Sequence, residues 1–387
     1  MATTADIVII GGGVMGCSIL YNLAAMGAKN LVLLERDTLG SGSTGKSQAI
    51  CRMHYSNPVT TLMAWESMKI YRSFPEVVGA EAGYVTTGYL VVVGPQDREA
   101  IEQNVAMQQE LGIDTRLVTA GDVAEIAPML SVQDAGGMAY EPQSGYADPH
   151  SVTSGYAAMA RELGAKVILS SPVRSIETSG DRVTAVVSDQ ERIETDTVVV
   201  AAGPWARSLV SPLGIELPLD TVRHQLLIMR RPAGRIPQHP GVGDIAQEFS
   251  FRPDSTHLTL VGGREDPADP DTYNQGVDLD MVEEYTTKLV HRMPAMSEGG
   301  FQDGWSGLFT ITPDWHPILD RVNGVSGLYC AVGFSGHGFK LAAMIGISMA
   351  ELVLEGKAKA VDIRPLRFSR FEEADLMRSR YRYNVLA

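Results

Sequence analysis

Residues 5–37 read ADIVIIGGGVMGCSILYNLAAMGAKNLVLLERD, and this stretch predicts the fold of the N-terminal part of the chain. Its apolar, β-branched run at 7–10 predicts a buried parallel strand, and a second apolar run at 31–34 predicts a neighbouring strand. The turn and helix pattern between the runs begins with the glycines of a G-x-G-x-x-G pattern, Gly11, Gly13 and Gly16. Glu35 follows about 20 residues after the last glycine, as a dinucleotide-binding unit requires.

Each of these residues has a physical role in such a unit. Gly11 allows the tight turn, Gly13 lets backbone N–H groups approach a pyrophosphate, and Gly16 lets helix and strand pack closely. The N-terminus of the helix then faces the phosphate charge. Glu35 can accept hydrogen bonds from ribose hydroxyls, and its charge disfavours the 2′-phosphate of NADP. FAD and NAD remain as alternative cofactors at this point.

Composition and charge restrict the function classes. The chain has 387 residues, which is long enough for two domains, and its formal net charge of −14 argues against a nucleic-acid or anionic-membrane partner. No apolar run is long enough to span a bilayer. The scattered cysteines, Cys17, Cys51 and Cys330, predict neither a disulfide framework nor a metal site. Because no basic region precedes the first apolar run, we expect a cytoplasmic protein without a signal peptide.

Residue periodicity along the rest of the chain predicts a composite of α/β and α+β structure. Helix patterns occur at 58–74, 98–112, 151–164 and 277–293, and strand patterns occur at 88–94, 165–170, 195–203, 223–230 and 256–263. Residues 327–356 again read as strand, glycine turn and long apolar helix, like the first unit. We therefore predict a Rossmann-like FAD-binding domain with an inserted antiparallel β-sheet substrate domain. The nucleotide-binding domain is assembled from separate segments of the chain. This favours FAD over NAD, because NAD dehydrogenases more often have a contiguous Rossmann unit.

The domain boundaries that we predict follow from this arrangement. The discontinuous FAD-binding domain takes residues 1–86, 145–221 and 305–387, and the substrate-binding domain takes residues 87–144 and 222–304.

Five motifs carry a resemblance to a known family. They are IVIIGGGVMG with Glu35, GSGSTGKSQAICRMHY at 40–55, VVVAAGPWA at 198–206, GLFTITPDWHPI at 307–318 and AVGFSGHGFKLA at 331–342. With them the chain resembles the FAD-dependent amine and amino-acid oxidoreductases. That family includes monomeric sarcosine oxidase and the β subunits of heterotetrameric sarcosine oxidase and of dye-linked proline dehydrogenase. The resemblance covers nearly the whole chain, and the motif at 331–342 is the most specific.

The resemblance implies a bound FAD and assigns its contacts. The residues expected at FAD are Gly11, Gly13, Val14, Met15, Gly16, Glu35, Arg36, Ser41, Ser43, Thr44, Lys46, Val173, Ala202, Gly203, Trp205, Gly307, Gly333, Ser335, Gly336, His337, Gly338 and Lys340. In the family, a cysteine shortly before the TPD turn links the flavin covalently. Gly307 occupies that position here, so we expect FAD to be bound non-covalently.

The resemblance also implies a substrate-carboxylate site. In monomeric sarcosine oxidase an arginine and a lysine at positions matching Arg52 and Lys340 clamp the substrate carboxylate. Arg52 follows an apolar run, where a buried guanidinium needs an anionic partner. Lys340 begins a helix, where the helix dipole disfavours a cation. His54 and Tyr55 are close to Arg52 in the sequence, and we predict all four as catalytic residues, with simple packing as the alternative for the latter two.

These residues predict the FAD-dependent oxidation of a C–N bond in a small amino acid. Secondary amino acids such as sarcosine, dimethylglycine or proline are favoured, with hydride transfer to flavin N5 giving an imine that hydrolyses. One alternative is the catalytic subunit of a multi-subunit amino-acid or opine dehydrogenase, and another is an NAD-dependent dehydrogenase.

The electron acceptor is either oxygen or a partner protein in a possible hetero-oligomer. The lysine that speeds the oxygen reaction in the monomeric oxidases aligns loosely near Thr259, where this chain has none nearby. This absence favours an acceptor other than oxygen.

Overall fold

The protein is represented by a computed structural model, which describes residues 3–381. Within this range the α-helices are α1 (Val14–Ala25), α2 (Pro58–Arg72), α3 (Phe74–Val77), α4 (Arg98–Glu110), α5 (Ala120–Ile126), α6 (Pro149–Glu162), α7 (Ala206–Val210), α8 (Leu279–Arg292) and α9 (Gly338–Glu355).

The strands of the same range follow in chain order. They are β1 (Thr3–Thr4), β2 (Ile7–Ile10), β3 (Leu31–Leu34), β4 (Ile50–Cys51), β5 (Val85–Thr86), β6 (Tyr89–Val93), β7 (Arg116–Leu117), β8 (Gly137–Glu141), β9 (Gly145–Tyr146), β10 (Lys166–Ile168), β11 (Val173–Ser179), β12 (Arg182–Ser188), β13 (Arg192–Glu194), β14 (Val198–Val200), β15 (Asp220–Arg230), β16 (Gly241–Asp244), β17 (Phe249–Asp254), β18 (Leu258–Pro267), β19 (Gly300–Ile311), β20 (Ile318–Arg321) and β21 (Leu328–Val332).

A six-stranded sheet forms the nucleotide-binding part of the molecule. Its order is β10–β3–β2–β14–β21–β20, and every neighbouring pair is parallel except β20 with β21. Strands β2, β3 and β14 are buried at every residue, as expected of strands covered on both faces. Helices α1, α6 and α9 pack together in the core on one face of this sheet. The strands predicted at 7–10 and 31–34 are confirmed at those bounds.

The carboxyl ends of three parallel strands bring distant glycine turns together. In the register of the sheet, Ile10 of β2 and Cys330 of β21 both pair with Val200 of β14. The turns that follow these strands therefore leave the sheet at the same edge. Two of these turns lead directly into helices, α1 after β2 and α9 after β21, so two helix N-termini lie at this edge. An α/β sheet binds its ligand in the crevice at such an edge.

An eight-stranded sheet forms the second large part of the molecule. Its order is β19–β15–β18–β17–β16–β6–β8–β7, and all pairs are antiparallel except β16 with β6. Side chains of α8, among them Met281 and Leu289, are buried in a core with this sheet. The predicted combination of an α/β unit with an inserted, mainly antiparallel sheet is confirmed. Strand β19 crosses the boundary predicted at 304/305, and the division into domains stays a prediction.

A small three-stranded sheet has the order β4–β9–β5, and its strand β4 ends directly before Arg52. Strand β4 pairs with β9, which also pairs with β5. Directly after β4, residues 52–55 are fully buried but adopt no regular secondary structure. The conformation of this segment therefore depends on side-chain contacts.

Within residues 3–381, no helix combines the length and the apolar character that crossing a membrane would need. The cytoplasmic location stays a prediction.

Candidate cofactor and substrate site

The first turn of the nucleotide-binding sheet has space only for glycines. Gly11 has a φ of +114°, and a Cβ there would lie 2.5 Å from the carbonyl oxygen of Ala201 on the neighbouring strand. A Cβ on Gly16 would lie 1.9 Å from the carbonyl oxygen of Gly11. Helix α1 therefore starts in contact with the turn, and its N-terminus lies on the wall of the adjoining cavity, where the helix dipole favours a phosphate. Thr44 supports this turn by accepting a hydrogen bond from the Val14 N–H at 3.1 Å.

Glu35 links the second strand to the glycine turn. Its Oε2 accepts a hydrogen bond from the Gly12 N–H at 2.6 Å, and its Oε1 accepts one from the Asp37 N–H at 2.9 Å. A carboxylate has about four lone-pair sites, so acceptor capacity is left for ribose hydroxyls. The carboxylate lies on the wall of the adjoining cavity.

That cavity has a volume of about 370 Å³ and begins at the three glycine turns. Sixteen of the predicted cofactor residues line it: Gly11, Gly13, Val14, Met15, Glu35, Arg36, Ser41, Ser43, Thr44, Val173, Ala202, Gly203, Trp205, Ser335, Gly336 and Gly338. Its wall thus joins two helix N-termini, an acid at the ribose position and the Val173 strand. These groups fit a dinucleotide such as FAD.

A cation–aromatic stack closes one end of this cavity. The guanidinium carbon of Arg36 lies 3.5 Å from the centre of the Trp205 ring. The Trp205 Nε1–H donates a hydrogen bond to Asp271 at 2.8 Å, and Arg36 approaches the same carboxylate at 3.6 Å. Asp271 belongs to the loop between β18 and α8, so the second sheet reaches over the cavity at this point.

A second cavity, of about 70 Å³, adjoins the first. The two share the walls at 43, 47, 308, 309, 336 and 339. Four of the predicted residues line this second cavity and not the larger one: Arg52, Lys340, Lys46 and Gly307. Gly16, Gly333 and His337 line neither cavity, and they support the turns from behind.

Arg52 and Lys340 are buried cations on one side of the small cavity. Only 3% of Arg52 and 8% of Lys340 is exposed to solvent. Burial, followed by the positive charge of Arg52, lowers the pKa of Lys340 to about 7. The guanidinium carbon of Arg52 lies 4.5 Å from the centre of the Tyr55 ring and 6.0 Å from that of Tyr89. Two cations that face one small cavity form a site for an anion such as a carboxylate.

His54 and Tyr55 lie behind Arg52 and line neither cavity. The His54 carbonyl accepts a hydrogen bond from Arg52 Nη1, and the Tyr55 ring stacks on Arg52 and on His337. Burial, followed by the charge of Arg52, lowers the pKa of His54 to about 3, so its ring is neutral. Both side chains are buried and point toward the core, and their assignment as catalytic residues stays a prediction.

Glu141 lies behind the same segment and is fully buried. It accepts hydrogen bonds from the Met53 N–H at 3.0 Å and from Ser144 Oγ at 2.7 Å. Burial raises the pKa of Glu141, and these hydrogen bonds oppose the rise, as does Arg52.

The second cavity is also lined by residues that were not among the predicted site residues. They include Gln48, Tyr89, His224, Leu226 and Ser250. His224 Nδ1 lies 2.9 Å from Glu265 Oε1, and its ring stacks on Phe309 with 4.3 Å between ring centres. With Nδ1 engaged, Nε2 is the ring nitrogen left for the cavity. The alternation of RHQLLIMR places His224 and Leu226 on one face, but only the pairing of β15 with β18 and β19 shows which face meets the site.

Thr259 does not occupy a position over the cofactor cavity. Its Oγ1 lies 3.0 Å from His239 Nε2, on the face of β18 opposite to Gly262, and the effect of a missing lysine near this position stays a prediction. Gly262 is the residue of β18 next to the small cavity, since a Cβ there would meet Gln48 and His224 Nε2. Lys46, on the cavity wall, is bound to Tyr273 at 2.5 Å and to Gln275 at 2.7 Å.

Two curated proteins are similar to this chain along nearly its whole length. It is 27% identical to the mitochondrial sarcosine dehydrogenase of Mus musculus over 401 residues, which cover 98% of this chain and 43% of that protein. It is 27% identical to 4-methylaminobutanoate oxidase (formaldehyde-forming) of Paenarthrobacter nicotinovorans over 385 residues, which cover 95% of this chain and 46% of that protein. The chain thus spans less than half the length of these relatives.

Solved structures show the same fold. L-proline dehydrogenase from P. horikoshii matches with a TM-score of 0.89 and 27% identity, covering 97% of this chain and 100% of that one. Glycine oxidase from Geobacillus kaustophilus matches with a TM-score of 0.84 and 22% identity, covering 95% and 99%, and this likeness concerns the fold alone.

A family model for FAD-dependent oxidoreductases, DAO, matches residues 6–352. This range contains both glycine turns that start helices, the Arg52 segment and Lys340. The resemblance inferred from the motifs is confirmed, and the cofactor of this family is FAD rather than NAD. The chain belongs to the DAO family of FAD-dependent oxidoreductases.

Proposed function

We propose that this chain oxidises the C–N bond of a small amino acid that carries a free carboxylate and, preferably, a secondary or tertiary amine. One observation carries the proposal: Arg52 and Lys340 are buried together at a small cavity that shares walls with the dinucleotide cavity. Two cationic side chains on the wall of one small cavity attract an anion, and a substrate carboxylate can accept charge-assisted hydrogen bonds from both.

The names of similar proteins support the class of amine. They include sarcosine dehydrogenase, 4-methylaminobutanoate oxidase, dimethylglycine dehydrogenase and L-proline dehydrogenase. N-methyl or cyclic amines are common to these names. The size of the small cavity, about 70 Å³, also favours a compact substrate.

The side chains of the small cavity have two roles: some bind the substrate carboxylate, and one accepts a proton from the substrate. Arg52 and Lys340 bind the carboxylate and so orient the amine toward the larger cavity. His224, held through Nδ1 by Glu265, presents Nε2 to accept the ammonium proton, which leaves the nitrogen lone pair free. When bound, FAD supplies the acceptor for the two electrons that leave the carbon next to nitrogen. The oxidised product is an imine, which hydrolyses in water.

We propose that FAD is bound without a covalent link, because Gly307 stands where the linking cysteine is expected. A Cβ on Gly307 would lie 3.1 Å from Lys46 Cβ, so this position is tightly packed by the loop after Thr44.

We further propose that electrons pass to an acceptor other than oxygen, for example a partner protein. A nearby cation stabilises superoxide as it forms, and Gly262 supplies none where β18 meets the small cavity. Arg52 and Lys340 also line this cavity, but we assign both to the substrate carboxylate, so Lys340 replaces the missing lysine only in part. Lys46 is occupied by Tyr273 and Gln275. Stopped-flow reoxidation of the reduced protein should be slow in aerated buffer and fast with a dye. Oxygen reoxidation faster than substrate reduction would identify an oxidase instead.

The amine class is tested by anaerobic bleaching of the bound FAD. Sarcosine, dimethylglycine and L-proline should bleach the flavin absorbance, and glycine should do so more slowly. Bleaching by none of these, together with bleaching by an unrelated donor such as a hydroxy acid, would overturn the proposal.

A further inference from the structure

The C-terminal segment of the described chain ends against the loop that carries Arg52. Its Met377 N–H donates to Asp314 Oδ2 at 3.2 Å, and its Arg380 N–H donates to Ser56 Oγ at 3.1 Å. The Arg380 side chain reaches α4, where Nη1 donates to Asn104 Oδ1 at 2.7 Å. The segment thus connects the strand–turn region at 314, the Arg52 loop and α4.

Tyr381 extends these contacts into the core behind Arg52. Its hydroxyl lies 2.6 Å from His54 Nε2, and the two rings stack with centres 5.7 Å apart and planes 18° apart. His54 is completely buried, and 3% of Tyr381 is exposed. His54 Nδ1 faces Glu141 Oε1 at 3.9 Å. A neutral ring carries one proton, and we assign it to Nδ1, which faces the Glu141 carboxylate, so that Nε2 accepts the hydrogen bond of the Tyr381 hydroxyl.

His54 in turn holds Arg52. The His54 carbonyl accepts a hydrogen bond from Arg52 Nη1, and residues 52–55 lack the regular backbone pairing that would otherwise hold them. Side-chain contacts to Met53, from Glu141 at 3.0 Å and Gln108 at 3.3 Å, fix the backbone on the other side. If the ring contact that anchors His54 is lost, the irregular backbone at 52–55 is held by fewer contacts, and a shift of that backbone would move the carbonyl that accepts from Arg52.

We propose that Tyr381 is a positioning residue for substrate binding, which acts through His54 to aim Arg52 at the substrate carboxylate. The C-terminal segment then sets the affinity of the small cavity for carboxylates, although Tyr381 itself lines neither cavity. This inference rests on the proposed function, in which Arg52 binds the carboxylate. A purely structural role for Tyr381 would change stability and leave the affinity of the folded protein unchanged.

The test uses Tyr381→Phe, which removes the hydroxyl and keeps the stacked ring. The probe is acetate, a small carboxylate, titrated into the FAD-loaded protein and followed by the flavin absorbance spectrum. We expect the acetate Kd to rise about threefold to tenfold, as for the loss of one hydrogen bond. Tyr21→Phe is the matched control, because its hydroxyl bonds the Val77 carbonyl at 3.1 Å in the nucleotide-binding part. The control should bind acetate as the wild type does.

Arg52→Ala completes the experiment as a double-mutant cycle. If Tyr381 acts through Arg52, Tyr381→Phe has no further effect on the acetate Kd in the Arg52→Ala background. His54→Gln gives the same test if Tyr381→Phe does not fold, and thermal unfolding of each variant reports on stability separately.

Three outcomes would overturn the inference. An unchanged acetate Kd in Tyr381→Phe, with a weakened one in Arg52→Ala, leaves the proposed function in place and removes Tyr381 from it. An equal effect of Tyr381→Phe with and without Arg52 shows that the hydroxyl acts elsewhere. Acetate binding that Arg52→Ala does not weaken overturns both the inference and the carboxylate site.

Discussion

Arg52 and Lys340 illustrate how two residues nearly 300 positions apart form one site. The resemblance to the FAD-dependent amine oxidoreductases implied a carboxylate site for both, in agreement with the apolar run before Arg52 and the helix N-terminus at Lys340. The positions of His54 and Tyr55 were not predictable, since an irregular buried segment has no periodicity that shows which side chains face a cavity. His224 was missed because its role depends on pairing with Glu265 and Gly307, far away in the chain.

Removing either cation should cripple the use of carboxylate substrates. In Arg52→Ala or Lys340→Ala, the loss of one charge-assisted contact costs about 1.5–3 kcal/mol. We expect kcat/KM to fall about tenfold to a hundredfold or somewhat more, with FAD still bound. Steady-state kinetics with sarcosine or proline measures the effect, and the flavin spectrum reports cofactor content. An unchanged kcat/KM in both variants would remove the two cations from the substrate site.

The pKa of Lys340, lowered to about 7 by burial and by Arg52, predicts a pH effect on binding. Below pH 7 the ammonium form prevails in the free protein, and it attracts a carboxylate. As the pH rises through 7 the charge is lost, so the acetate Kd should increase. Acetate itself stays ionised throughout this range, so the change belongs to the protein. Lys340→Met should bind acetate weakly and with a smaller dependence on pH between 6 and 8 than the wild type, since His224 still faces the cavity. A wild-type Kd that is constant in this range would contradict the assignment.

At the scale of elements, local and non-local structure differ in how well they were predicted. The βαβ unit at 7–34 and the strand–helix pair at 328–355 were predictable from the sequence. Each is contiguous in the chain, and each has the glycines that a tight turn from a strand into a helix needs. The order of the eight-stranded sheet was not predictable, since it joins strands from 89–141 with strands from 220–311 and includes one parallel pair. No local pattern encodes that order.

The loop between β18 and α8 connects this sheet to the cofactor cavity. Asp271 on the loop accepts a hydrogen bond from Trp205 and lies near Arg36, and all three line the cavity. We expect Asp271→Ala to raise the FAD dissociation rate about twofold to fivefold, a modest change because the contact is exposed. Recovery of free-flavin fluorescence after dilution measures this rate. Glu298→Ala serves as the control and should release FAD at the wild-type rate, because Glu298 is an exposed acid paired with Arg235 and lines neither cavity.

At the scale of the whole molecule, the cofactor cavity joins segments from both ends and the middle of the chain. We expect non-covalent FAD, because Gly307 stands at the position of the linking cysteine. Acid precipitation should therefore leave FAD in the supernatant, identified by its mass. Yellow colour that stays in the pellet would show a covalent link, and a peptide map would then find its site.

The central claim is that a buried pair of cations selects amines that carry a carboxylate. Its most direct measurement is the rate of anaerobic flavin reduction by sarcosine and L-proline, compared with that by dimethylamine and pyrrolidine, which lack the carboxylate. We expect the amines without a carboxylate to reduce the flavin at least about a hundredfold more slowly at equal concentration, because both charge-assisted contacts are lost. Reduction of the flavin by pyrrolidine or dimethylamine within threefold of the rate with the amino acid would contradict the claim.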